Sequence, residues 1–172
     1  DFGLVDKILE GKYRPGHFSG VALVVSKLFN IVQPHRAYFG QKDYQQLKIV
    51  SQLANELMFD IEIKSIPIVR EADGLAMSSR NQRLGPEERK NALVLHECLT
   101  SAKQMLRSGA SVANVKQMAT NKCSIVPNVT LEYFELADLE NLLPTDTVND
   151  KTILLMAAYV GQIRLIDNLK MN

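Results

Sequence analysis

The sequence predicts an α/β chain in two parts. Residues 1–69 read as the end of a parallel-sheet domain, and residues 70–172 as a small α+β domain with antiparallel strands. Three observations carry this. Before residue 69, helix-period and strand-period segments alternate twice, the pattern of a parallel sheet with crossover helices. After residue 81, two helical segments precede three strands, the last two joined by a tight Gly161-Gln162 turn of the antiparallel kind. Between the parts lies the polar stretch 70–81, in which Gly74 supplies a flexible turn.

Taken in order, residues 4–9 predict a short helix stopped by Gly11, followed by an Arg14-Pro15-Gly16-His17-Phe18 turn. Ser19 is the expected N-cap of the next helix, whose Val21, Val24, Val25, Leu28, Phe29 and Val32 recur at helical spacing and read as a core stripe ending before Pro34. Ala37-Tyr38-Phe39, between Pro34 and Gly40, predicts a buried strand. Leu47, Val50, Ala54, Leu57 and Met58 share one face of a following helix, and residues 61–69 predict a second strand. Two strands bury little, so further strands are expected to precede residue 1. Pro86 at a first helical position, followed by Glu87 and Glu88, opens a helix expected to run to about residue 107. A second helix is expected over 112–122, then strands over 129–137, 152–160 and 163–167.

Bulk properties exclude several classes. The chain has 172 residues, 46% hydrophobic and 23% charged, with a formal net charge of +1, so it lacks the basic field of a nucleic-acid binder. No apolar run is long enough to span a bilayer. The first residues include neither Met nor a basic region, so no signal peptide is visible and a longer parent polypeptide is expected. Cys98 and Cys123, far apart in predicted helices, read as reduced residues of a cytoplasmic protein. No His, Cys, Asp and Glu grouping has metal-ligand spacing, and no P-loop, Gly-x-Gly-x-x-Gly or Gly-x-Ser-x-Gly motif is present.

Two stretches can carry chemistry. Gly40-Gln41-Lys42-Asp43 lies at the carboxyl end of a predicted parallel strand, where open α/β sheets bind nucleotides. Gly40 permits close backbone approach, Lys42 supplies a charge for phosphate, Asp43 can accept from ribose hydroxyls, and Gln46 faces the same side. The alternative is a plain strand-to-helix turn, capped by Asp43 with Lys42 in solvent. Met77-Ser78-Ser79-Arg80 is a compact set of hydroxyl and guanidinium donors suited to phosphate oxygens, or else a solvated connector. His17, just after Arg14 in the turn, reads equally as a phosphate or substrate contact or as a helix-start packing residue, while His35 and His96 read as structural.

Together these residues resemble the pantoate–β-alanine ligase family. The resemblance rests on residues 14–18 through Lys27-Leu28-Phe29-Asn30, on Phe39-Gly40-Gln41-Lys42-Asp43-Tyr44-Gln45-Gln46-Leu47, on all of 70–81, and on Arg164-Leu165-Ile166-Asp167-Asn168. It implies a Rossmann-like nucleotidyltransferase domain, a small C-terminal lid domain and a homodimer. It also implies a two-step reaction. ATP and pantoate give pantoyl adenylate and pyrophosphate, and β-alanine then displaces AMP to give pantothenate. By the same resemblance Gly40, Gln41, Lys42, Asp43, Val69, Met77, Ser78, Ser79 and Arg80 would bind ATP, with Lys42, Ser78, Ser79 and Arg80 catalytic. Gln46 would hold pantoate, and the segment 78–80 would be a mobile phosphate loop.

The family usually has Glu where Gln41 stands, a change expected to be tolerated because that side chain need not touch ATP. The family's His-x-Gly-His part, with most contacts to Mg2+ and pantoate, has no counterpart in residues 1–172, so the chain alone is expected to be inactive or nearly so. The competing readings are a non-catalytic folded module for assembly or nucleotide binding, and an adenylating ligase for another small hydroxy acid.

Overall fold

The structure is a computed structural model that describes residues 2–172. It divides into two compact units: residues up to Pro67 with Asn141–Leu143, and Ile68–Glu140 with Pro144–Asn172. No helix among the described residues is long and apolar enough to cross a membrane.

In the first unit, α1 (Glu10–Tyr13), α2 (His17–Val32), β1 (Arg36–Gly40), α3 (Tyr44–Glu56) and β2 (Glu62–Ile66) follow in order, with a 3-10 turn, Gln41–Asp43, leading into α3. β1 and β2 pair in parallel, Arg36 opposite Glu62 and Gly40 opposite Ile66. The core of this unit joins Val25 and Phe29 of α2 to Val50, Leu53 and Ala54 of α3, and Phe29 meets Phe59 edge-on at 5.4 Å.

Several local expectations give way to tertiary contacts here. Residues 4–8 form turns, and the short helix starts later, at Glu10, and contains Gly11. The buried side chain of Gln45 draws the chain in: its Nε2 donates to the carbonyls of Val5 and Ile8, and its Oε1 accepts from the Glu10 amide. α2 begins at His17 with Gly16 as N-cap at φ 78°, so Ser19 lies inside the helix and caps nothing. The α2 stripe is only partly core. Val25 and Phe29 are buried, whereas Val24, Leu28 and Val32 are exposed, as are Leu23 and Ile31. The apolar arc is wider than the face that α3 and the two strands cover. β1 is likewise not a buried strand, since Tyr38 is 63% exposed. Leu57 and Met58 lie beyond the end of α3 and are exposed. β2 stops at Ile66, before Pro67.

The second unit contains α4 (Pro86–Asn91), α5 (Leu93–Arg107), α6 (Val112–Ser124) and the strands β3 (Val129–Asp138), β4 (Thr152–Val160) and β5 (Ile163–Lys170). The strands form an antiparallel sheet in the order β3-β4-β5, and Gly161 turns the β4–β5 hairpin at φ 56°. The expected single helix over 87–107 is broken at Ala92. Pro86 is the first residue of α4, and the Glu88 carboxylate accepts from the Gly85 amide at 2.9 Å, which satisfies an end-of-helix donor. α6 has its own cap, the Ser111 hydroxyl accepting from the Asn114 amide.

Leu95, Leu99, Ala102 and Leu106 of α5 and Val115 and Ala119 of α6 pack in one core with Leu136, Leu154, Met156 and Ala158 of the sheet. Cys98 and Cys123 are buried in that core as free thiols, and their mutual hydrogen bond together with burial pushes the Cys98 thiol up. Leu99→Ala is expected to cost about 2–5 kcal/mol in urea denaturation of this chain. Leu28→Ala, on the uncovered face of α2, is expected to stay within about 0.5 kcal/mol.

Candidate functional site

Residues 70–81 are held far more firmly than a polar connector. Arg70 and Ala76 form an antiparallel bridge, the Met77 amide donates to the Val69 carbonyl at 2.9 Å, and the Glu71 amide donates to the Leu75 carbonyl at 2.8 Å. Gly74 turns the hairpin at φ 95°, and a Cβ there would come within 2.6 Å of the His96 ring. Both facts demand glycine, so the expected flexible turn is a fixed one.

Arg70 anchors the hairpin. Its Nη1 donates to Asp167 Oδ2 at 2.7 Å and to the Gly74 carbonyl at 3.0 Å, and its Nη2 donates to Asp167 Oδ1 at 2.9 Å and to the Asn168 carbonyl at 3.3 Å. Asp167 is almost wholly buried in β5, where a carboxylate requires a partner. The fork geometry of a guanidinium meets it bidentately. A second guanidinium, Arg89 of α4, reaches Glu71 and Asp73 at 2.7 Å each. Desolvation works against the charged form of Asp73, but the Leu75 amide and Arg89 hold its carboxyl below the usual range.

The donors singled out in the sequence sit just beyond this frame. Ser78 Oγ accepts from the Arg80 amide at 3.2 Å and caps a 3-10 helix, Ser79–Arg83. Ser79 and Arg80 are exposed and Ser78 half-buried; Met77 and Val69 are 54% and 59% exposed. Met77, Ser78 and Ser79 line a concavity of about 580 Å³ together with Glu71, Asn81, Gln82 and Arg89. It combines hydroxyls and a guanidinium with a thioether, a surface able to take both a polar and an apolar part of one ligand.

In the first unit, Gly40–Asp43 stands where the sequence puts it, at the carboxyl end of β1 entering α3. Asp43 occupies the N-cap position of α3 without a side-chain capping bond, so the capping alternative is not realised. Lys42 is half-buried and engaged within the protein. Gln41 Nε2 donates to Ser65 Oγ at 2.8 Å, linking the ends of the two strands. Gln46 and His17, distant in sequence, line a second concavity of about 530 Å³ with Gly16, Gly20, Val21, Val24 and Val25. Arg14 Nη1 lies 3.8 Å from the Glu10 carboxylate. Among the described residues no group of three or more His, Cys, Asp or Glu is arranged to hold a metal ion.

Sequence reading missed Arg70, Glu71, Asn81, Arg89 and Asp167 as parts of a frame. One signal was available: Asp167 is the lone acid of a predicted core strand, and such a group must find a cation. His96, beside this frame, is pushed down by burial and by Arg70, against the opposing pull of Asp167 and Glu97, and its Nδ1 is buried without a hydrogen bond.

A family model described as pantoate-beta-alanine ligase matches residues 2–170. Pantothenate synthetase of Thermotoga neapolitana is 49% identical over 95% of this chain and 59% of its own length, and that of Aquifex aeolicus is 49% identical over 98% and 60%. A crystal structure of pantothenate synthetase from Thermus thermophilus superposes with a TM-score of 0.93 at 43% identity, over 98% of this chain and 61% of that one. Pantoate-beta-alanine ligase from Francisella tularensis, complexed with beta-gamma ATP and beta-alanine, gives a TM-score of 0.72 at 31% identity, over 97% and 55%. The chain thus spans about three fifths of the length of the curated relatives it matches.

Two outcomes are expected from the frame. Asp167→Ala, which leaves Arg70 without its carboxylate, should lower unfolding free energy by about 3–5 kcal/mol in urea titrations. His96 favours its neutral form in the fold, so its contribution is fully present above the ordinary histidine value and is lost as pH falls through and below it. The drop in urea midpoint between pH 7.5 and 5.5 should therefore be smaller in His96→Leu than in the parent chain, at about one unit either side of the free imidazole pKa.

Proposed function

We propose a function from one premise: the chain belongs to the pantoate–β-alanine ligase family. The proposed reaction is the ATP-dependent joining of pantoate to β-alanine, carried out by a protein of the relatives' length that includes this chain. Pantoate's carboxylate attacks the α-phosphorus of ATP and pyrophosphate leaves. The β-alanine amine then attacks the acyl carbon of the adenylate and AMP leaves. Magnesium enters with the nucleotide as its counter-ion. A homodimer in the cytoplasm belongs to the same proposal.

The observation that carries this reading is the Ser78–Arg80 turn: its backbone is held in place while the Ser79 and Arg80 side chains remain outward. Phosphoryl chemistry gains most from donors already placed where charge gathers, because no reorganisation is then required at the moment of reaction. In the second unit, Ser78, Ser79 and Arg80 would grip phosphate, and Met77 and Val69 would lie against the adenine. In the first unit, Gly40, Lys42 and Asp43 would serve ribose and phosphate; Gln41, tied to Ser65, would act only through its backbone. The concavity around Gln46 supports an acid with a branched aliphatic body and a polar end, since three valines and one amide line it. Pantoate has that character. His17 shares the concavity and Arg14 is nearby in sequence, and both are proposed as neighbours of the acid.

Lys42→Ala and Arg80→Ala, each made in a protein of the relatives' full length, should lower kcat/KM for ATP in pantoate-dependent pyrophosphate exchange by about 10- to 100-fold. Arg80→Ala should shift stability by less than about 0.5 kcal/mol, because its side chain is exposed. Normal exchange by either variant would remove that residue from the proposed site.

A further inference from the structure

The turn that carries Ser78, Ser79 and Arg80 is closed by one side chain that does not belong to the phosphate-gripping set. Asn81 Nδ2 donates to the Ala76 carbonyl at 3.1 Å and to Glu71 Oε1 at 2.8 Å. Ala76 precedes the turn and Asn81 follows it, so this amide spans residues 77–80. The Asn81 backbone amide donates to the Ser78 carbonyl at 3.0 Å, and the Arg80 amide donates to Ser78 Oγ, which fixes the inside of the same loop. The orientation of the side-chain amide is forced: both of its partners are acceptors, and the reverse placement would set an oxygen against two oxygens. Asn81 Oδ1 is buried and takes no bond, so the donor end is the working end. Glu71 is in turn held by Arg89 at 2.7 Å.

We propose that Asn81 is a positioning residue for phosphate binding, clasping residues 77–80 so that Ser78, Ser79 and Arg80 are presented together, with Glu71 as the acceptor that fixes the clasp. This rests on the reading of Ser78–Arg80 as the phosphate grip. Neither neighbouring guanidinium bonds to Asn81 or to the Ala76 carbonyl. Arg89, the other donor to Glu71, also reaches Asp73, and Arg70 is paired with Asp167. Without the clasp the three donors would still be present, but their mutual placement would have to be found on binding. Displacements on the order of 1 Å are enough to cost about a hundredfold in such sites.

The test uses a protein of the relatives' full length, with magnesium–ATP as the probe in pantoate-dependent pyrophosphate exchange. Asn81→Ala should raise KM for ATP about tenfold or more and leave KM for pantoate within about twofold, at a cost of no more than about a hundredfold in the folding equilibrium constant. Amide exchange at residues 77–81 should quicken. Asn81→Asp has the same shape but turns a carboxylate toward Glu71, so it should be as damaging, and it keeps the test open should the alanine variant misfold. Adding Glu71→Gln to Asn81→Asp restores a donor–acceptor pair across the clasp and should recover part of the ATP affinity, a rescue that mere loss of stability does not predict. An ATP KM within about twofold of the parent in both Asn81 variants, with Arg80→Ala strongly impaired, would overturn the proposal. If Arg80→Ala is also unimpaired, the phosphate reading of the turn is what fails, and the amide-exchange arm then decides whether Asn81 closes it.

Discussion

The ion pair between Arg70 and Asp167 is the constraint on which the rest of the second unit's working surface depends. A carboxylate buried within a core strand is unstable there unless its charge and lone pairs are met. Arg70 meets both oxygens, and a further bond to Asp167 Oδ1 comes from the Asn168 amide. The same guanidinium takes the carbonyls of Gly74 and Asn168, so one side chain satisfies the acid, the tip of the hairpin and the strand at once. The hairpin cannot drift from β5 without leaving a buried acid unpaired.

From that anchor the order propagates along the chain. The bridge from Arg70 to Ala76 sets the hairpin, His96 fills the space beneath Gly74, and Arg89 binds the two acids on the hairpin's outer side. Beyond Ala76 the backbone therefore starts from a fixed point. Ser78 caps the 3-10 helix Ser79–Arg83, and Asn81 within it ties back to the Ala76 carbonyl, leaving exposed side chains on an ordered backbone. An anion of the kind proposed for this turn would require little ordering of its backbone, which would favour a tight grip from few contacts. The order of the turn thus answers to a residue 97 positions away from Arg70 in the chain.

The first unit follows a different logic. Its core is small, and α2 carries more apolar residues than α3 and the two strands can cover. Periodicity in the sequence reports that a helix is amphipathic, and how wide its apolar arc is. It does not report how much of that arc meets a neighbour, because this depends on which elements lie alongside. Val24 and Val25 are adjacent in sequence and equally apolar, yet one is 56% exposed and the other buried. The same holds at Tyr38, which sits in a correctly expected strand but on its open side.

By itself the sequence determined the alternation of helices and strands, the parallel pairing before residue 69, the antiparallel hairpin at Gly161 and the two motifs that mark the family. These are short-range matters: hydrophobic period, turn residues and contiguous side chains are written in neighbouring positions. Only the tertiary structure decided where the first helix begins, because Gln45 captures the carbonyls of Val5 and Ile8 from 40 and 37 positions away. It alone paired Arg70 with Asp167, joined Gln46 to His17 around one concavity, and turned a polar connector into a braced platform. The physical reason is common to all of these. A hydrogen bond or ion pair across the chain is set by which groups folding brings together, and a single residue's identity states only that it needs a partner.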